Sequence, residues 1–405
     1  MTDDSVQIKF EKLKKWIIDN GGNVDEDIYI DVISDGVRGL KVAQKKLQNQ
    51  VLISVNKKCT IISDRKVEGI SEQVMCCLKF IQEYSGGKES FYFPYFDILP
   101  TIEDLKKDQH QLMIFDETDY PQLQKISPKL VQGHLEATFH KEVKTLFKLI
   151  CEDSDLDERF KTLDLVKYAL TLYHSRAWGN FGFIPLTDMT NHKNDPDCSG
   201  HVENPKDRNV INFSIPKPLN KGDEILWQYN FFSPVQLYMN YNINPDLLPN
   251  HQLTLPIEFK LDEDTEINRL RRKLIRKNRL NRDKTTYIFT VNGMFKDINR
   301  IFPTIRVAAL DENDMVLLRL NCEKDEEKEV VPFMVNMPIC IDNEFRCIKT
   351  LLKYLRDCDI CGEELDSKKF DKKYLTLIKT LNTQYKIVHK NISDLETYWL
   401  GMIRG

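Results

Sequence analysis

Ile184-Pro185-Leu186-Thr187-Asp188-Met189-Thr190-Asn191-His192 is the densest stretch of chemistry in the chain, with Asp188, Asn191 and His192 standing close together behind an apolar run. Further on, Tyr229 closes a strand-like segment. Taken bare, Asn-His followed by polar residues reads as a loop, and Tyr229 reads as a half-buried strand tyrosine. Short patterns of this kind match often by chance, so the surroundings have to decide.

Upstream, Val166, Ala169, Leu170 and Tyr173 fall on one helix face and lead directly into Ser175-Arg176-Ala177-Trp178. Ile70, Val74, Leu78 and Ile81 predict another helix, and Val143, Leu146, Phe147 and Ile150 a third, so residues 65–178 read as mostly helical. Before them, Phe10, Leu13, Trp16 and Ile17 mark an opening helix that stops at Asn20-Gly21-Gly22. Strand-like residues 28–32 and 51–55 flank a glycine turn, Gly36-Val37-Arg38-Gly39-Leu40. Downstream, strand signals resume at 210–215 and 224–229, separated by Pro216, Pro218 and Lys221-Gly222-Asp223 as turn material. A helical block is thus inserted in a β region.

Ser233-Pro234-Val235-Gln236 has the chemistry of a helix start, and that helix ends near Tyr241-Asn242. Beyond Pro249-Asn250 the composition shifts to long charged helical patterns, among them Phe345, Ile348, Leu352 and Leu355, then Tyr374, Leu377, Leu381, Tyr385 and Val388. We place a domain boundary near 250, which suits 405 residues at roughly 150 per domain.

A hydrophobic share of 41%, a charged share of 30% and only 16 Gly and 16 Pro exclude collagen-like, disulfide-scaffold and largely disordered classes. Lys and Arg number 58 against 62 Asp and Glu, so the chain has no overall field to gather nucleic acid. Met1-Thr2-Asp3-Asp4 lacks a basic, apolar leader, and we expect neither a signal peptide nor a membrane span. Ten scattered Cys then point to reduced thiols and a cytoplasmic or nuclear setting.

Arg38-Gly39-Leu40, Ser175-Arg176-Ala177-Trp178, Asp188-Met189-Thr190-Asn191-His192, Gln228-Tyr229-Asn230 and Tyr241-Asn242-Ile243 occur in the order and at the spacings of a SET-domain methyltransferase. The chain resembles the branch typified by the plant Rubisco large-subunit lysine methyltransferase and the yeast ribosomal-protein lysine methyltransferases. Lys88-Glu89-Ser90 through Phe93-Pro94-Tyr95, with Leu99-Pro100, resembles part of that branch's helical insert. The resemblance implies an α+β fold: a β-rich SET domain over 1–250, with its helical insert at about 65–178 and a knot-like C-terminal segment. Residues 251–405 would form a mainly helical, Rubisco-methyltransferase-like substrate-binding domain.

The cofactor implied is S-adenosyl-L-methionine. By resemblance, Gly39, Leu40 and Lys41, with Gln50 and Leu52, would hold its methionine part. Arg176, Asp188, Asn191, His192, Tyr229, Tyr241 and Ile243 would line the rest of the pocket, and Trp178, Asp188 and Tyr241 would face the substrate. Tyr229 matches the catalytic tyrosine. Gln50 stands where a glutamate is common, Pro234 where an asparagine is frequent, and Asn230 and Asn242 stand where glycines follow the tyrosines; Asn tolerates the left-handed backbone.

The implied activity is protein-lysine N-methylation of a non-histone protein, ribosomal or translation-related, by a monomer that meets nucleic acid only through a ribonucleoprotein. A lysine amine has a pKa of about 10.4, so its neutral form at pH 7 costs roughly 4 to 5 kcal/mol, and a desolvated channel beside a sulfonium lowers that cost. A relative that methylates actin histidine has Asn where this chain has Trp178, whose aromatic face suits a lysine stem. Histidine methylation and a noncatalytic SET-fold adaptor remain the alternatives.

Cys358-Asp359-Ile360-Cys361 lacks a second ligand pair at zinc spacing, and His192, Cys198 and His201 lie far away in sequence, so no metal is expected. Arg269, Arg271, Arg272, Lys273, Arg276, Lys277, Arg279, Arg282 and Lys284 form a basic stretch that reads either as a solvated helix face or as a dock for an acidic partner. Glu323, Asp325, Glu326, Glu327 and Glu329 could neutralise it from within the chain.

Overall fold

The apolar face read at the N-terminus makes helix α1 (Asp4–Asp19), which buries Phe10, Leu13 and Ile17 completely. Its end is set by Gly21, at φ 84°, and by the Gly22 N–H, which donates to the Ile17 carbonyl at 2.9 Å. The computed structural model describes residues 4–34, 37–132, 140–193, 201–203, 209–230, 232–244, 252–257, 261, 263–278, 280, 285–290, 298–320, 335, 337–359 and 362–404. It divides into two units, Met1–Asn230 with Gln236–Asn244 and Phe231–Val235 with Pro245–Gly405; the boundary expected near 250 lies outside the described residues.

In the first unit, strands β1 (Asn23–Val24), β2 (Ile28–Ser34), β3 (Val37–Val42) and β4 (Val51–Asn56) follow α1. The helical insert comes next. Helix α2 (Glu72–Ser85) starts where the Ser71 hydroxyl accepts from the Val74 N–H, so Ile70 precedes the helix that its spacing suggested it would join. Short helices α3 (Phe93–Phe96), α4 (Ile102–Lys107), α5 (Gln111–Ile114), α6 (Tyr120–Ile126) and α7 (Pro128–Leu130) lead to α8 (Lys141–Glu152) and α9 (Leu163–Arg176). Helix α2 packs on both α8 and α9. Phe80 of α2 meets Phe183 and Tyr168, with ring centroids 4.9 and 6.1 Å away, so the insert shares a core with the turn that opens the site.

Strands β5 (Asn191–His192), β6 (His201–Glu203), β7 (Val210–Ser214) and β8 (Leu226–Trp227) precede helix α10 (Pro234–Tyr241). The sheets are small: β1-β4-β7-β6 runs antiparallel, β2 and β3 form an antiparallel ladder, and β5 pairs with β8 in parallel. Parallel neighbours cannot be joined by a tight turn, so the chain must loop away after His192 and return before Leu226.

In the second unit, β9 (Gln252–Ile257) and β10 (Thr285–Thr290) form an antiparallel pair in a region read from sequence as helical. Helix α11 (Glu266–Lys277) lies between them in the chain, followed by α12 (Ile298–Ala308), α13 (Glu312–Leu320), α14 (Ile341–Asp357) and α15 (Leu375–Arg404). Ile301, Phe302 and Ile305 from α12 pack with Cys347, Ile348, Leu351 and Leu355 from α14 and with Ile387, Val388 and Leu395 from α15. Arg306, buried in this core, is held by both Glu344 carboxylate oxygens at 2.7 Å. Phe345 falls off the buried stripe and lies exposed beside Trp399. Among the described residues no helix is long and apolar enough to cross a membrane.

Candidate active site

The 184–192 stretch turns sharply before it becomes a strand. Leu186 sits at φ 74°, a conformation an apolar side chain rarely takes, and the turn is tied by the Thr187 hydroxyl donating to the Ile184 carbonyl and the Thr190 hydroxyl donating to the Thr187 carbonyl, each at 2.8 Å. Asn191 and His192 then pair with Leu226 and Trp227, which sets Tyr229 beside them. The Tyr229 phenol donates to the Thr190 carbonyl at 2.6 Å, and the Tyr229 N–H donates to His192 Nδ1 at 3.2 Å. Nδ1 is thus the accepting nitrogen of the His192 ring. Ring centroids lie 5.0 Å apart for His192 and Tyr229, and 4.6 Å for Tyr229 and Tyr241.

Tyr241 ends α10, and the turn behind it is secured by Asn242 at φ 55°. The Asn242 amide donates to the Asp108 carbonyl at 2.8 Å and its carbonyl oxygen accepts from Gln111 Nε2 at 2.7 Å, two bonds a glycine could not make. Ile243 follows, half-buried, its N–H reaching back to the Leu237 carbonyl. Burial is the main cause that raises the Tyr229 phenol well above the usual range, with Tyr241 adding to it; burial alone pushes Tyr241 up to about 12. Both are neutral hydroxyls at physiological pH.

On the other flank, Asp188 is buried with Tyr95 donating to its Oδ2 at 2.8 Å and Arg176 Nη1 at 3.2 Å from both Oδ2 and the Asp188 carbonyl. Burial raises the Asp188 carboxyl above its ordinary value against the opposing pull of Arg176 and Tyr95. Its Oδ1 is buried with no hydrogen-bond partner among the described residues. Tyr95 was not among the expected site residues; the Phe93-Pro94-Tyr95 element was its only signal.

Gly39, Leu40 and Lys41 belong to β3, and the Leu40 carbonyl accepts from the Ile225 N–H at 2.7 Å. The Asn191 amide donates to the Arg38 carbonyl at 3.0 Å and to Glu224 Oε1 at 2.7 Å, so Asn191, the Gly39 strand and Glu224 form one knot of contacts. Leu40 is fully buried, and the Lys41 ammonium turns to Asp31 at 3.0 Å. Glu224 was read from sequence as the start of a strand and not as a site residue.

Gln50 and Leu52 are held by other neighbours. Leu52 is buried in β4, and its carbonyl accepts from the Asp25 N–H. Gln50 Oε1 accepts from the Leu47 N–H at 3.0 Å, and Gln50 Nε2 donates to Asp25 Oδ2 at 3.2 Å. The other Asp25 oxygen and Asp27 each hold the buried Lys46 ammonium at 2.6 Å. A glutamate at 50 would bring a third carboxylate to an ammonium already flanked by two, which accounts physically for an amide at this position. Trp178, half-buried, stands edge-on to Phe213 and Trp227 at 5.0 and 5.4 Å between centroids.

In the second unit the basic stretch is partly spent on internal bonds. Arg271 donates to the Leu310 carbonyl at 2.7 Å, Arg272 to the Leu261 carbonyl at 3.0 Å, and Asp264 bonds Arg269 and Arg272. Arg279, Arg282, Lys284 and the acidic residues Glu323, Asp325, Glu326, Glu327 and Glu329 lie outside the described residues, as do Cys198 and Cys361. Among the described residues no group of three or more His, Cys, Asp or Glu could hold a metal.

No protein-family profile matches the chain. No curated protein matches it either. Solved structures do. The SET domain of LSMT bound to lysine and AdoHcy is 17% identical with a TM-score of 0.55, over 98% of this chain and 92% of that one. The same domain bound to MeLysine and AdoHcy is 19% identical with a TM-score of 0.56, over 99% and 93%. Rubisco LSMT bound to sinefungin and monomethyllysine is 19% identical with a TM-score of 0.55, over 98% and 93%. At that level of identity the likeness speaks for the backbone arrangement, and the chain has the α+β SET fold with a helical insert, followed by a mainly helical C-terminal part.

Proposed function

We propose that this chain is an S-adenosyl-L-methionine-dependent protein-lysine N-methyltransferase acting on a non-histone protein. The observation that carries the reading is the Tyr229 hydroxyl, 2.6 Å from the Thr190 carbonyl, with the neutral Tyr241 ring against it. When bound, S-adenosylmethionine supplies an electrophilic methyl group on a positive sulfonium. Gly39, Leu40, Lys41, Arg176, Asn191 and His192 would hold it. The fit rests on the donor set: neutral aromatic hydroxyls tolerate a sulfonium, and the unpartnered Asp188 Oδ1 is a buried acceptor available to a bound amine.

The rest is work for the chain's own side chains. Tyr229 and Tyr241 form an apolar wall that disfavours an ammonium, so the lysine sheds its proton to solvent before it attacks. Their raised pKa values exclude a phenolate base at neutral pH, which leaves Tyr229 to orient the amine and offer a fixed dipole beside the transferring methyl. Trp178 supports lysine over histidine by presenting an aromatic ring rather than an amide, and the LSMT structures bound to lysine, MeLysine and monomethyllysine support the same choice. Selectivity for the protein target would come from residues 251–405, in the cytoplasm or nucleus.

Incubating the protein with a cell lysate and isotope-labelled S-adenosylmethionine, then mapping the label by mass spectrometry, tests the whole reading. Label on a lysine of a non-histone protein is expected. Label confined to histidine overturns lysine specificity, and absence of both labelling and donor binding overturns the enzyme.

A further inference from the structure

Asn191 has two amide hydrogens and one carbonyl oxygen to place. The structure spends its Nδ2 on two partners far apart in sequence, the Arg38 carbonyl at 3.0 Å and Glu224 Oε1 at 2.7 Å. The three segments meet with no space left over. A Cβ at Gly39 would lie 2.5 Å from Glu224 Oε1 and 2.6 Å from Asn191 Nδ2, so glycine at 39 lets the carboxylate reach Asn191 past the β3 backbone. The backbone repeats the connection: Glu224 bridges Lys41, the Ile225 N–H donates to the Leu40 carbonyl at 2.7 Å, and Asn191 pairs with Leu226. Segment 224–227 therefore bonds β3 through one set of residues and β5 through the next.

We infer that Glu224 is a positioning residue for the methyl-donor pocket: its carboxylate, acting through the Asn191 side chain, locks the Asn191–His192 strand to β3 at Gly39. This rests on the function proposed above. Glu224 touches neither donor nor substrate in this role. Its action is to hold, before any ligand arrives, the two backbone pieces that would grip opposite parts of one long cofactor, which removes an ordering cost from binding. Half-burial raises its carboxyl above the ordinary value despite the Asn191 bond and Lys41, as expected of a carboxylate placed for geometry rather than solvation.

The test compares S-adenosylhomocysteine affinity by calorimetry, and kcat at saturating donor, in wild type, Glu224→Gln and Glu224→Ala. A glutamine keeps an oxygen that accepts from Asn191, so Glu224→Gln should stay within about threefold of wild type, whereas Glu224→Ala should weaken affinity about tenfold or more. At saturating donor, kcat of Glu224→Ala should change by less than about threefold, a split that general unfolding would not produce. If the alanine variant melts too early to titrate, Glu224→Asp, which keeps the charge but is one methylene short, should show the same loss. Unaltered affinity in the alanine or aspartate variant overturns the inference, as does an equal loss in Glu224→Gln. A wild-type protein that binds no S-adenosylhomocysteine overturns the donor reading, and the role of Glu224 with it.

Discussion

The rings of Tyr229 and Tyr241 face each other with centroids 4.6 Å apart and planes inclined by 37°, although one follows a strand and the other closes a helix. The Tyr229 hydroxyl is aimed away from that contact, at the Thr190 carbonyl. The pair thus combines a tilted aromatic contact with a single directed polar atom. Removing only that atom separates chemistry from packing. Tyr229→Phe should lower turnover about a hundredfold or more while far-UV circular dichroism and S-adenosylhomocysteine affinity stay near wild type. Near-native turnover would take Tyr229 out of the mechanism.

Because burial raises both phenols, with Tyr241 at about 12, neither ionises in the working range. The only titration expected to shape kcat/KM for a lysine peptide is that of the substrate amine. The rate should climb with pH up to a plateau and show no descending limb below about pH 10, the ordinary phenol value. A bell-shaped profile whose falling limb disappears in Tyr241→Phe would contradict this.

Gln50 offers a stability test. Its amide donates to Asp25, whose other oxygen is committed to Lys46. Gln50→Glu, the change that would restore the more common residue, should lose that bond and place like charges in contact, costing about 1 kcal/mol. Urea denaturation at pH 7.5 should show a lower midpoint. An unchanged or higher midpoint would count against the contact.

His110 supplies a pH dependence of known sign. Burial first, and the neighbouring His174 second, bring its folded pKa down to about 3 from the ordinary 6.5. Well above pH 6.5 the ring is neutral both folded and unfolded and contributes no pH dependence. As pH falls from 6.5 towards 3, the unfolded chain takes up a proton that the folded chain refuses, and stability drops by as much as about 1.4 kcal/mol per unit. His110→Asn should flatten that part of the curve. Parallel wild-type and variant curves between pH 6.5 and 4 would show that His110 takes up its proton in the fold.

How much of this was legible depended on how local each interaction is. The start of α10 could be read because a serine and a proline lie within its first turn, whereas α2 begins after the Ser71 cap, past the Ile70 that apolar spacing had joined to it. The β9–β10 pair was missed although Leu253, Leu255 and Ile257 alternate along β9. Each strand is only 6 residues long, its partner lies on the far side of α11, and Pro256 interrupts the pattern.

The site divides in the same way. Sequence alone marked the Asp188-to-His192 segment and Tyr229 as candidates, through their resemblance to a known pattern. Only the tertiary structure decided what holds them: Tyr95 on Asp188, Glu224 on Asn191, and Gln50 turned to Asp25. The reason is physical. A helix satisfies its hydrogen bonds within four residues, so its signature stays in one short window. These polar contacts bridge separations of 93, 33 and 25 residues, and their partners become known only once the chain has closed on itself.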